Sequence, residues 1–132
     1  MKRSIAQIAL VVDDYDKAID FYVGDLGFTL VEDTQLTATK RWVLVEPVGG
    51  TGCRLLLAKA ANKEQQERVG NQTGGRVFLF MHTDDFYRDY QTFRSKGVVF
   101  VREPSVEPYG TVAVFKDLYG NLWDLIGPND KE

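Results

Sequence analysis

The sequence predicts an α+β fold built from two tandem βαβββ modules, and three observations predict it. First, Gln7-Ile8-Ala9-Leu10-Val11-Val12-Asp13-Asp14-Tyr15 runs apolar strand, acidic pair, aromatic, and Phe78-Leu79-Phe80-Met81-His82-Thr83-Asp84-Asp85-Phe86 repeats that order. Second, each acidic pair opens an amphipathic stretch that ends near a glycine, at Leu26-Gly27-Phe28 and at Lys96-Gly97-Val98. Third, each half closes on a glycine turn and an apolar strand, Gly52-Cys53-Arg54-Leu55-Leu56-Leu57 and Gly120-Asn121-Leu122-Trp123-Asp124-Leu125. A repeat this long in a chain of 132 residues means two copies of one supersecondary unit, not a solenoid. The boundaries read as module 1 over about 1–59, a linker over about 60–75 and module 2 over about 76–132.

In the first module Ile5 to Val12 is an apolar run suited to a sheet buried on both faces. Asp13 or Asp14 caps the next helix, where a short acidic side chain meets free backbone N–H groups and the positive end of the helix dipole. Ala18, Ile19, Tyr22 and Val23 make one helical face, and Gly24 and Gly27 stop it. Strands follow near Phe28–Glu32, Arg41–Val45 and Arg54–Ala58. The linker reads as a short helix over Asn62–Val69 and a glycine-rich link with a solvated charged face. In the second module Arg76–His82 is the strand and Asp84 or Asp85 the cap. Phe86, Tyr90 and Phe93 form a single helical stripe, which reads as core packing, and Gly97 ends the helix. The closing strands are near Val98–Arg102, Thr111–Phe115 and Leu122–Ile126.

Composition narrows the function. With 44% hydrophobic and 27% charged residues the chain has an ordinary globular makeup, and its size buries roughly two-thirds of the unfolded surface. A net charge of −3 and no basic run speak against nucleic acid as a partner. No apolar run approaches the ~20 residues of a membrane helix. Lys2-Arg3 before Ile5–Val12 has the outline of a secretory leader, but Gln7 interrupts the apolar stretch and Asp13-Asp14 ends it. The chain therefore reads as cytoplasmic. Cys53, the one cysteine, reads as a small core or turn residue. No phosphate loop is present, since Gly49-Gly50-Thr51-Gly52 lacks the following lysine and helix start. No serine sits on a strand-to-helix elbow of the kind a hydrolase nucleophile needs.

These landmarks together resemble the vicinal oxygen chelate superfamily, which includes glyoxalase I, bleomycin-resistance proteins and extradiol dioxygenases. The matching segments are Val11-Val12-Asp13-Asp14, Ala18-Ile19-Asp20-Phe21-Tyr22, Leu26-Gly27-Phe28, Glu107-Pro108-Tyr109-Gly110 and Asp117-Leu118-Tyr119-Gly120-Asn121-Leu122. The resemblance covers essentially the whole chain. It implies a cupped mixed sheet, a homodimer, and four metal-ligand positions that fall here on Gln7, Leu56, Phe78 and Asp124. The turn at Asp117 departs from the family's usual Asp-Pro-Asp-Gly-Asn, a change that touches turn stability and not chemistry.

A catalytic divalent metal wants at least three donor side chains and an open position. Gln7 offers a carbonyl oxygen and Asp124 a carboxylate, while Leu56 and Phe78 offer nothing. His82, the one histidine, lies four residues after Phe78, roughly 13 Å along a strand. No metal or other cofactor is therefore expected, although the residues leave a divalent metal open. Asp124 in the apolar strand Leu122–Ile126 must face a cavity, find a partner such as Gln7, or take up a proton. His82 reads either as a strand-end residue hydrogen-bonded near Thr83 and Asp84 or as a ligand contact or base. Arg54 and Arg76 lie two residues before ligand-equivalent positions. They either bracket the mouth of the cup and attract an anion or pair with surface acids.

Leu56, Phe78, Phe80, Ala9 and Val11 then line an apolar floor, Phe80 reading equally as plain packing, with Trp42 as a wall and Tyr109 in a turn able to close over a ligand. Trp123, of opposite parity to Asp124, packs under the helices. The leading reading is a small-molecule-binding protein of the bleomycin-resistance kind with a degenerate metal site, taking an apolar or aromatic compound, anionic ones included. The alternatives are a metal-dependent lyase or oxidoreductase of the glyoxalase or dioxygenase kind and a metal-free lyase or isomerase using Asp124 or His82. Neither nucleic acid nor membrane is an expected partner.

Overall fold

The computed structural model describes residues 1–50 and 52–129. Thr51, in the glycine-rich loop read above as no phosphate site, and the last three residues of the second module lie outside them. The chain divides into two compact units, Met1–Val69 and Gly70–Glu132. Each unit holds one four-stranded mixed sheet with helices, and the fold is α+β.

The first unit contains β1 (Gln7–Val12), α1 (Tyr15–Ile19), β2 (Thr29–Gln35), β3 (Arg41–Glu46), β4 (Arg54–Lys59) and α2 (Lys63–Gln66). Its sheet order is β1-β4-β3-β2, with β1 parallel to β4 and the remaining pairs antiparallel. Asp14 takes the cap, its carboxylate accepting from the Lys17 N–H at 2.9 Å. Helix α1 widens into a π-helical segment over Asp20–Asp25, in which the Leu26 N–H donates to the Phe21 carbonyl. Tyr15, Ala18, Phe21 and Tyr22 are buried on the same side of the sheet as Leu10, Val12, Val43, Val45, Leu55 and Leu57. The period-two alternation of the strands supplies that core from every second residue.

The second unit contains β5 (Val77–His82), α3 (Phe86–Ser95), β6 (Val99–Glu107), β7 (Gly110–Lys116) and β8 (Leu122–Gly127). It repeats the same order as β5-β8-β7-β6. Asp85 is the cap here, accepting from the Arg88 N–H at 3.2 Å. The aromatic stripe of α3 builds the core: Phe93 meets Phe115 edge-on at 5.6 Å, Phe115 stacks on Trp123 at 5.9 Å, and Tyr90 meets Phe100 at 4.6 Å. Trp123 is buried on this side of the sheet.

Several elements differ from the sequence reading. Strand β1 starts at Gln7, and Ile5 before it is exposed. Strand β2 runs on to Gln35, because its pairing with β3 continues past a bulge between Leu30 and Glu32. The linker helix is four residues long, capped by the Asn62 side chain, and gives way to turns over 67–70. Gly24 does not stop α1. It sits within the π-helical segment, and Gly27, at a φ of +73°, makes the break.

The turn between β7 and β8 is held from inside. One oxygen of the buried Asp117 accepts from the backbone N–H groups of Tyr119, Gly120 and Asn121, each at 2.9 Å. Its other oxygen accepts from the Asn121 carboxamide, whose own oxygen accepts from the Gln72 N–H at 3.1 Å. A buried carboxylate is tolerated because donors surround it. The link just before β5 approaches this turn so closely that a Cβ on Gly70, at φ +74°, would strike the Tyr119 carbonyl oxygen. Gly70→Ala is therefore expected to cost about 2 kcal/mol or more through strain and overlap. Urea unfolding checks this, and a midpoint and slope equal to the parent's would contradict it.

Candidate functional site

The helices cover one face of each sheet, so functional side chains must project from the other. In the first sheet, strand pairing sets rows across that open face. Gln7 lies beside Arg54 and Ala9 beside Leu56; Leu56 faces Leu44, which faces Glu32. Trp42 faces Thr34 in the next row. Arg54 is already engaged, its Nε donating to Glu46 Oε2 at 3.1 Å. That ion pair balances the charge with which Arg54 was expected to draw an anion. The Gln7 carboxamide makes no hydrogen bond among the described residues.

Beside this face a cleft of about 610 Å³ opens where β3 begins and β4 ends. Trp42, Leu56 and Ala58 supply apolar wall, and Thr37, Lys40 and Gln65 supply polar groups. Arg41 borders it but is pinned. Its guanidinium forms a fork on Asp33 at 3.1 and 2.6 Å, reaches Asp16 at 2.9 Å and lies 5.1 Å over the Tyr15 ring. The hydrogen bond from Arg41 holds the Asp33 carboxyl below its ordinary range, and Asp33 with Asp16 holds the guanidinium above its own. Arg41 is therefore a strut of the cleft, not a free cation.

In the second sheet the corresponding rows carry different chemistry. Phe80 lies beside Asp124, Asp124 faces Val114, and Val114 faces Arg102. The next row holds His82, Ile126, Val112 and Ser105. Phe80 is 62% exposed, which makes it surface and not packing. Phe78 falls in a register shift between Val77 and Leu79, so Val77, not Phe78, stands beside Leu122. His82 is exposed at the strand end, and among the described residues its ring makes no hydrogen bond to Thr83 or Asp84. Tyr109 is 71% exposed in the turn before β7. Arg76 precedes β5 and forms no ion pair among the described residues.

Asp124 is half-buried, with no hydrogen bond or ion pair among the described residues. Burial pushes the Asp124 carboxyl above its ordinary value, and the charge of Arg102 pulls the other way. Arg102 was missed in the sequence. The duplication carried the signal: bulges between Leu30 and Glu32 and between Phe100 and Arg102 put Glu32 and Arg102 at matching places in the two sheets.

The donor set does not fit a catalytic metal. Gln7 and Asp124 bring two oxygens, Leu56 and Phe78 bring hydrocarbon, and among the described residues no three His, Cys, Asp or Glu side chains gather as a metal's ligands. Among the described residues no helix is long and apolar enough to cross a membrane.

Residues 4–125 match the model of the Glyoxalase/Bleomycin resistance protein/Dioxygenase superfamily. An uncharacterized protein of Shewanella frigidimarina (strain NCIMB 400) is 61% identical over 100% of this chain and 98% of its own. The crystal structure of UcmS2 superposes with a TM-score of 0.83 at 29% identity, covering 96% of this chain and 98% of that one. TnmS3, an antibiotic binding protein from Streptomyces sp. CB03234, superposes with a TM-score of 0.77 at 30% identity over 97% of this chain and 98% of its own.

An acid whose proton affinity is raised in the fold stabilises it fully below the unfolded value and loses that contribution as pH rises. Asp124→Asn removes this loss. The variant is expected to match the parent in urea midpoint well below the ordinary carboxyl value of 3.8 and to exceed it at pH 7. A gap that is constant with pH would contradict the burial argument.

Proposed function

The chain belongs to the Glyoxalase/Bleomycin resistance protein/Dioxygenase superfamily, and we propose that within it this protein binds a small apolar or aromatic compound without a metal. The cleft beside Trp42 and Leu56 carries the reading. Its volume of about 610 Å³ falls within the range of small-molecule sites, which pair apolar walls with a few polar groups. The carbon side chains of Leu56 and Phe78 at two ligand-equivalent positions turn the same faces from metal coordination to apolar contact. The relative TnmS3, described as an antibiotic binding protein, supports binding as the activity. The same reading takes the working unit as a cytoplasmic homodimer, closed dimers being the commonest soluble assembly.

Calorimetric titration with 2-naphthol tests the cleft. Saturable binding is expected, weakened at least tenfold by Leu56→Arg, which puts a charge on a half-exposed apolar wall. Near-UV circular dichroism should stay that of the parent. No binding, or binding indifferent to Leu56→Arg, would refute the reading.

A further inference from the structure

We propose that Asp124 and Arg102 form a two-ended polar clamp on the open face of the second sheet, taking a flat aromatic ligand that presents a hydrogen-bond donor at one end and an anionic or carbonyl oxygen at the other. This rests on the small-molecule reading above and adds a second place of binding, on the other unit, with its own ligand chemistry. The two residues lie in one row, separated by Val114 on the strand between them. Two strand spacings set their backbones roughly 10 Å apart. They are opposite in charge, yet neither has an ion-pair partner among the described residues, and Arg102 acts on Asp124 only through space. Each presents its own half of a recognition pair: Asp124 accepts, and the Arg102 fork donates.

The floor between and around them is hydrocarbon. Val114 is buried between the two charges, Ile126 and Val112 fill the next row, and Phe80 lies beside Asp124 with its ring open to a ligand. An aromatic side chain beside an unsatisfied carboxylate stacks a flat ring while the acid takes the ring's hydroxyl or amine proton. The first sheet lacks the device. At the matching places it carries Leu56, Leu44 and Glu32, and the Glu32 carboxylate accepts from the Thr34 hydroxyl at 2.9 Å. The two faces of the duplicated fold have therefore diverged, one to plain apolar contact and one to polar discrimination.

Two fluorescent probes separate the ends of the clamp: 6-hydroxy-2-naphthoate carries donor and anion across a comparable span, and 2-naphthoate carries the anion alone. For the parent chain the hydroxyl should improve affinity at least fivefold. Asp124→Val, which removes the acceptor, should erase that advantage without weakening 2-naphthoate, and Arg102→Gln should weaken both probes at least fivefold. Both substitutions lie on an open sheet face, and an unchanged near-UV spectrum verifies the fold. If both variants bind both probes as the parent does, the clamp is wrong while the binding reading stands. If 2-naphthol binds and neither naphthoate does, the clamp is again wrong. If no naphthalene probe binds at all, both fall.

Discussion

Everything in this structure depends on the parallel pairing of the first and fourth strand of each module. Parallel strands cannot be joined by a tight turn, so a crossover must carry the chain over one face of the sheet. In the first module that crossover begins with α1, and in the second it begins with α3. The helix then claims one face for the core, and alternation hands the other face to side chains that need no burial. Leu10, Leu55 and Leu57 face inward by this rule, while Gln7, Arg54 and Leu56 do not. A slip of one residue in either parallel pair would exchange the two sets. The register is thus the condition for both the core and the open face.

Duplication has let one register carry two surfaces. The strand orders match, and so do the bulges that precede Glu32 and Arg102, while the shift at Phe78 belongs to the second sheet alone. What differs is the chemistry hung on them. The first sheet pairs its charges internally, Arg54 with Glu46 and Arg41 with Asp33 and Asp16, and offers apolar wall. The second leaves Asp124 and Arg102 facing each other across Val114 with no bond between them. Arg41, half-buried and forked on Asp33, braces the cleft, while the more exposed pair of Arg54 with Glu46 chiefly neutralises the surface.

The fold was largely legible because it rests on signals that sequence carries directly: period-two strands, acidic caps and glycine breaks. Asp14 and Asp85 cap as their position before an apolar helical face requires. The burial of Trp123 follows from its parity against Asp124. Less was legible where pairing between strands decides. Nothing local in Val77-Phe78-Leu79 announces the bulge that displaces Phe78. The engagement of Arg54 by Glu46 depends on which strands become neighbours. Arg102 escaped notice because a charged residue in a strand-like run reads as ordinary surface; only its row, two strands from Asp124, gives it a role. The linker helix is shorter than its polar, helix-forming residues predict because it lacks the apolar face that would extend it.

The central claim we propose is that each sheet's open face, taken by itself, suits small-molecule contact, the first through carbon and the second through a carboxylate and a guanidinium, in place of metal chemistry. Elemental mass spectrometry on protein purified without chelator or metal-binding tag tests it most directly. The account predicts metal far below one ion per chain, even after soaking in zinc, nickel, manganese or iron(II) and dialysis. Near-stoichiometric metal that survives dialysis would contradict it and make Gln7 and Asp124 ligands after all.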